Sequence, residues 1–147
     1  MLSVGRDRRW ALFKRNDDEY TLFALKKEAH SRLLWSCSWT SDDKYFATSS
    51  REKDHSIKIW VRPVEPILES ESEIESEVSF GFEKLPATAV SFLPHSTLLV
   101  SGYENGAVCL WSFEAKVKKV SLLYRLHPYL AHAKQVSRIR CFIDSED

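Results

Sequence analysis

Residues 29–61 hold three short β-prone runs separated by turn chemistry, and no other stretch limits the possible folds so tightly. Leu33, Trp35, Cys37 and Trp39 recur at every second position, the spacing that puts side chains on one face of an extended strand. Ser41-Asp42-Asp43 is a turn signal, because short polar side chains hydrogen-bond to their own backbone there. Tyr45-Phe46-Ala47-Thr48 resumes with β-prone residues, and Ile57, Ile59 and Val61 alternate in a third run. Strands this close leave no room for the helical crossover that a parallel sheet needs, so the block reads as an antiparallel meander.

His30, Thr48, Asp54 and Trp60 would each be costly to bury alone. A meander brings them together: the Trp60 indole donates to the Thr48 hydroxyl, Thr48 meets His30, and Asp54 orients the other imidazole nitrogen. This arrangement resembles the WD repeat, whose signature is a Gly-His pair near its start and a Trp-Asp pair at its end. Ala29-His30 and Trp60-Val61 stand in those places here. The resemblance implies an all-β chain of the WD40-type β-propeller, built of four-stranded blades.

The pattern recurs along the chain. Asp7 stands six residues before Phe13, Asp54 six before Trp60, and Asn105 six before Trp111. Ser3 and Ser101 precede Asp7 and Asn105 by four, and Thr48 matches them once a two-residue insertion within 50–53 is allowed. In the last of these units, Thr88-Ala89-Val90-Ser91-Phe92 and Leu98–Ser101 read as strands, and Asn105-Gly106 is a hairpin signal before Ala107–Trp111. No His precedes its first strand, so its polar chain is expected to be incomplete and the unit to rely on packing alone. Lys116–Tyr124 reads as an outer strand, and Ala131-His132 with Val136–Phe142 as the start of another unit.

The expected organisation is a partial propeller of about two complete four-stranded blades plus two partial blades. Residues 1–28 end one blade, 29–84 form a second with an acidic insertion at 62–77, 85–128 form a third, and 129–147 start a fourth. A ring takes about four to eight blades, so this stretch leaves two apolar faces to be covered by further chain or by a partner.

At 44% hydrophobic residues the chain has the apolar content for a sizeable core, and its formal charge of zero hides blocks of opposite sign. Residues 65–77 carry six Glu and no base; with Pro63 and Pro66 interrupting any sheet, the segment reads as a solvated acidic rim. Arg6, Arg8, Arg9, Arg51, Lys53 and Arg62 lie in or near inter-strand turns, with Trp10 beside them. Arg8, Arg9, Trp10 and Arg51 are the candidate partner contacts, suited to an acidic peptide or an RNA backbone, with Trp10 expected to be exposed.

The chemical inventory is thin. Cys37, Cys109 and Cys141 form no C-x-x-C pair, and His127 and His132 with Cys141 lack metal-ligand spacing. Gly102-x-x-x-Gly106 lacks the Lys-Ser/Thr of a phosphate loop. No cofactor, metal, catalytic residue or small-molecule substrate is expected. No run approaches the ~18 apolar residues of a membrane span, and the N-terminus carries charge where a signal peptide would be apolar, so a cytoplasmic or nuclear setting is expected.

Two strings carry a narrower resemblance. MLSVGRDRRWALFK and LLWSCSWTSDDKYFATSSREK are similar to the later part of the family of WD-repeat second subunits of the Elongator complex, over residues 1 to about 61 and more weakly over 131–141. That resemblance implies tandem propellers that scaffold a complex modifying the tRNA wobble uridine, with the acetyl-CoA and radical chemistry in a different subunit. For this chain it implies a non-catalytic scaffold whose partners are other Elongator subunits, with an indirect or weak tRNA contact. The repeat architecture alone leaves a second reading, a WD-repeat adaptor in an unrelated signalling or trafficking complex.

Overall fold

A computed structural model describes residues 1–69 and 73–144, which fold as three antiparallel meanders. The first contains β1 (Leu2–Val4), β2 (Trp10–Asn16) and β3 (Glu19–Lys26). The second contains β4 (Leu34–Trp39), β5 (Tyr45–Ser50), β6 (Ile57–Val61) and β7 (Val78–Phe80). The third contains β8 (Ala87–Phe92), β9 (Leu98–Tyr103), β10 (Val108–Glu114) and β11 (Lys119–Leu126). The hairpins close where the sequence supplies self-capping or left-handed residues. Asp42 Oδ1 accepts the Lys44 N–H at 3.1 Å, Asn105 Oδ1 accepts the Ala107 N–H at 3.0 Å, and Gly106 sits at φ 92.

The sheets stack face to face. Trp10, Leu12 and Ala24 of the first meet Phe46 and Trp60 of the second. The Trp10 ring stands edge-on to both of those rings, at centroid distances of 5.2 and 5.6 Å. The opposite face of the second sheet, with Ala47, Ile57 and Ile59, packs on Val90, Phe92, Leu99, Trp111 and Phe113 of the third. Each such large side chain removed from water contributes ~2 kcal/mol, so these two interfaces are the main source of stability. The outward face of the first sheet, with Ser3 exposed and Phe13 half-buried, meets no sheet among the described residues.

The innermost strands β4 and β8 lie side by side without pairing. Instead the hydroxyls of Ser36, Ser38 and Ser41 accept the backbone N–H groups of Val90, Phe92 and His95 at 3.4, 3.0 and 2.8 Å, each across 54 residues. A bulge between Leu34 and Ser36 buries Leu34 and leaves Trp35 40% exposed, so the alternating Trp35 and Cys37 are not the core face of this strand.

Two expectations need correction. The acidic insertion is not a solvated excursion: Ile67 pairs with the outer edge of β3, accepting the Leu25 N–H at 3.2 Å and donating to the Phe23 carbonyl at 3.0 Å. Ile74 is buried among the residues joining the first two sheets. Two isoleucines thus fasten a strap whose Glu65, Glu69, Glu73 and Glu75 stay in solvent. Residues 131–144 form no strand, because an innermost strand needs a second strand of its own sheet and none is present among the described residues. They lie against β8 and β9, with the Val136 N–H donating to the Tyr103 carbonyl at 3.2 Å and Thr88 Oγ1 donating to the Val136 carbonyl at 2.5 Å. Gly102 and Gly106 permit this approach; a Cβ at Gly102 would lie 2.6 Å from that of Val136. Residues 70–72 of the insertion and 145–147 of the expected fourth blade lie outside the described residues.

Candidate functional site: a stapled sheet beneath a basic cleft

His30, 1% exposed, lies in the connection from β3 to β4. The Trp60 indole N–H donates to Thr48 Oγ1 at 2.9 Å, and Thr48 Oγ1 lies 2.8 Å from His30 Nε2. His30 Nδ1 meets a carboxylate, and that carboxylate belongs to Glu52. Thr48 has one proton to give and already accepts from Trp60, so it donates to Nε2, and His30 is the neutral tautomer donating from Nδ1 to Glu52. Burial holds the His30 pKa below its ordinary value of 6.5 against the opposing hydrogen bond to the Glu52 carboxylate, with nearby Lys58 acting in the same sense as burial. Burial of Glu52 opposes its charge, yet hydrogen bonds from His30 and Ser31 prevail and bring its pKa down to about 2.

Asp54, the expected acid, is exposed and takes no part. The turn decides this. Ser50 Oγ accepts the Glu52 N–H at 2.9 Å and Ser31 Oγ donates to Glu52 Oε1 at 2.6 Å, which fold the turn so that Glu52 aims back at the imidazole while Asp54 faces solvent. Nor do Asp7 and Asn105 orient an imidazole: each accepts the backbone N–H two residues on, at 3.3 and 3.0 Å, and so caps its hairpin.

The third sheet has a staple of its own, against the expectation of packing alone. The Trp111 indole donates to Ser101 Oγ at 2.8 Å, and Ser101 donates to the Tyr103 hydroxyl at 3.0 Å. The buried phenol occupies the imidazole's place, and burial pushes its pKa up, so it stays protonated. The signal in the sequence was an aromatic hydroxyl two residues beyond the serine on one strand face. Ser3 and Phe13 share this register: Ser3 faces Ala11 as Ser101 faces Cys109, and Phe13 and Trp111 each follow a bulge. Phe13 has no N–H to give, so the first sheet is not stapled.

Above the second sheet's staple opens a cleft of about 1090 Å³, lined by Arg6, Arg8, Arg32, Arg51, Lys53 and His55, with Glu52, Asp54 and Glu104 as its acids. Of the predicted contacts, Arg8 and Arg51 are there. Arg9 turns to Asp7, with Nε 3.7 Å from Oδ2, and borders a separate hollow beside Ser3. Trp10 is fully buried, because period-two alternation places it with Leu12 on the covered face of β2. Arg32 and His55 were missed; they arrive from the loop after His30 and from the β5–β6 turn. The cleft offers cations at an open surface, while the buried imidazole beneath it has both nitrogens engaged.

Stacked meanders, each carrying a Trp-to-hydroxyl staple where its sequence allows one, define a WD-repeat β-propeller protein. The profile described as "WD domain, G-beta repeat" matches residues 22–61 and 81–112. A solved structure of U3-55K superposes on 93% of this chain and 37% of its own at a TM-score of 0.69 with 19% identity. That of Saccharomyces cerevisiae Sqt1 covers 91% of this chain and 33% of its own at 0.68 with 12% identity. These likenesses show the fold. Elongator complex protein 2 of Danio rerio is 36% identical over 78% of the chain, that of Drosophila melanogaster 31% over 95%, and that of Saccharomyces cerevisiae 30% over 95%. The chain belongs to the Elongator complex protein 2 family, and it spans 16%, 19% and 18% of the length of those three relatives.

Proposed function

We propose that these blades serve as a non-catalytic scaffold within an Elongator-type assembly, holding other subunits in place for tRNA wobble-uridine modification in the cytoplasm and nucleus. The observation that carries this reading is similarity to Elongator complex protein 2 along 95% of the chain in both fly and yeast relatives. The geometry supports it, since the polar side chains that could be mistaken for a reactive triad are consumed in stapling a sheet. Arg6, Arg8, Arg32 and Arg51 in the cleft favour an acidic segment of a neighbouring subunit. Contact with tRNA is then weak and salt-sensitive, because so few cations on an open surface draw phosphates without reading bases.

Two experiments test this. Affinity capture with the tagged chain is expected to recover the Elongator catalytic subunit; recovery of only unrelated signalling or trafficking proteins would favour the adaptor reading. Replacing the matching segment of the yeast relative with this chain is expected to preserve wobble-uridine modification, and loss of modification from a stably folded chimera would contradict the scaffold role.

A further inference from the structure

We infer that the outer edge of β11 is a docking site for an extended, acidic segment of a partner protein anchored by one Ile or Leu, which adds to the third sheet as a further strand. The first sheet shows how. There Ile67 of the acidic strap lies along β3, taking the Leu25 N–H and giving its own N–H to the Phe23 carbonyl. Those two backbone groups face outward beside a bulge at Phe23, where Leu12 stands opposite Ala24 and Phe13 opposite Leu22.

β11 repeats this register. Leu110 stands opposite Tyr124, Trp111 opposite Leu122, and Leu123 is the bulged residue. Leu123 therefore corresponds to Phe23, and Arg125 to Leu25, so the Leu123 carbonyl and the Arg125 N–H form the same outward pair. Along this edge Leu122, Leu123 and Tyr124 are 41%, 54% and 62% exposed, an apolar stretch of the kind an added strand covers. The charge of the occupant follows from the neighbours. Lys116, Lys118 and Lys119 stand at the start of β11, and Lys118 already holds Glu77 of the acidic strap at 3.2 Å. The same lysines repel a second copy of this basic edge and admit an acidic strand. The site lies apart from the cleft, and its occupation does not depend on the Elongator reading.

The test titrates the ¹⁵N-labelled chain with the synthetic peptide PVEPILE, the sequence of residues 63–69. Expected are saturable shifts and amide protection at residues 123–126. Leu123→Asp, which changes an exposed side chain, should weaken binding by at least ~5-fold, and so should raising salt from ~0.1 to ~1 M. Arg125→Pro, which removes the N–H donor, should abolish it; if that variant unfolds, Leu123→Asp decides alone. No saturable binding at millimolar peptide, or protection confined to residues 23–26, would overturn the inference.

Discussion

The second and third sheets solve one problem with different third partners. In both, a tryptophan indole donates to a strand hydroxyl at 2.8–2.9 Å in a space closed to water. In the second that hydroxyl donates a hydrogen bond to an imidazole, which leans on a carboxylate; in the third it donates one to a phenol oxygen. The indole-to-hydroxyl bond is thus the common element, and the group behind it is interchangeable provided it can accept a hydrogen bond. The exchange has a cost in acid, because an imidazole and a carboxylate change charge between pH 7 and pH 2 and a phenol does not.

The largest effect that separates the sheets is expected from Thr48→Val. It orphans the Trp60 N–H and removes the proton given to His30, at ~3 kcal/mol by chemical denaturation; Ser101→Ala should cost ~2 kcal/mol, since the phenol retains a proton to donate. A result with the third sheet more sensitive than the second would break the comparison.

Acid comes next. His30 has a folded-state pKa below 6.5, so its neutral form stabilises the fold above pH 6.5 and that contribution is lost as pH falls below it. Glu52 is depressed from 4.5 to about 2, so its contribution is present above pH 4.5 and is lost on descending toward pH 2. Melting temperature should therefore fall below pH 6.5 and again below 4.5. Glu52→Gln should flatten the lower step, while Tyr103→Phe should leave both steps unchanged. Smaller still, Ile67→Asp should release the strap from β3 and raise amide exchange at Leu25, leaving exchange in the third sheet unaltered. Unchanged exchange at Leu25 would show that the strap adds no protection to that edge.

The staples also show what a sequence reveals of such a fold. Thr48 and Trp60 were legible because alternation assigns each residue of a strand to a face, and the Asn105-Gly106 hairpin because few residues tolerate its backbone. The acid at His30 was not, since whether Glu52 or Asp54 reaches the imidazole depends on two serine hydrogen bonds that shape a turn. Trp10 was placed at the surface on the strength of its arginine neighbours, whereas strand parity with Leu12 puts it in the core. The strap was misjudged for a related reason: six glutamates dominate its composition, and two isoleucines determine where it goes. Tyr103 was not legible because the WD-repeat signature names a histidine in that role, whereas any buried hydrogen-bond acceptor suffices.

The staple itself is most directly tested by the imidazole Nδ1–H resonance of His30 in a ¹⁵N-labelled sample at neutral pH. It is expected to be present and downfield in the wild-type chain and in Asp54→Asn, and to vanish into exchange in Glu52→Ala. A resonance that survives Glu52→Ala and disappears in Asp54→Asn would contradict the assignment and return the acid's role to Asp54.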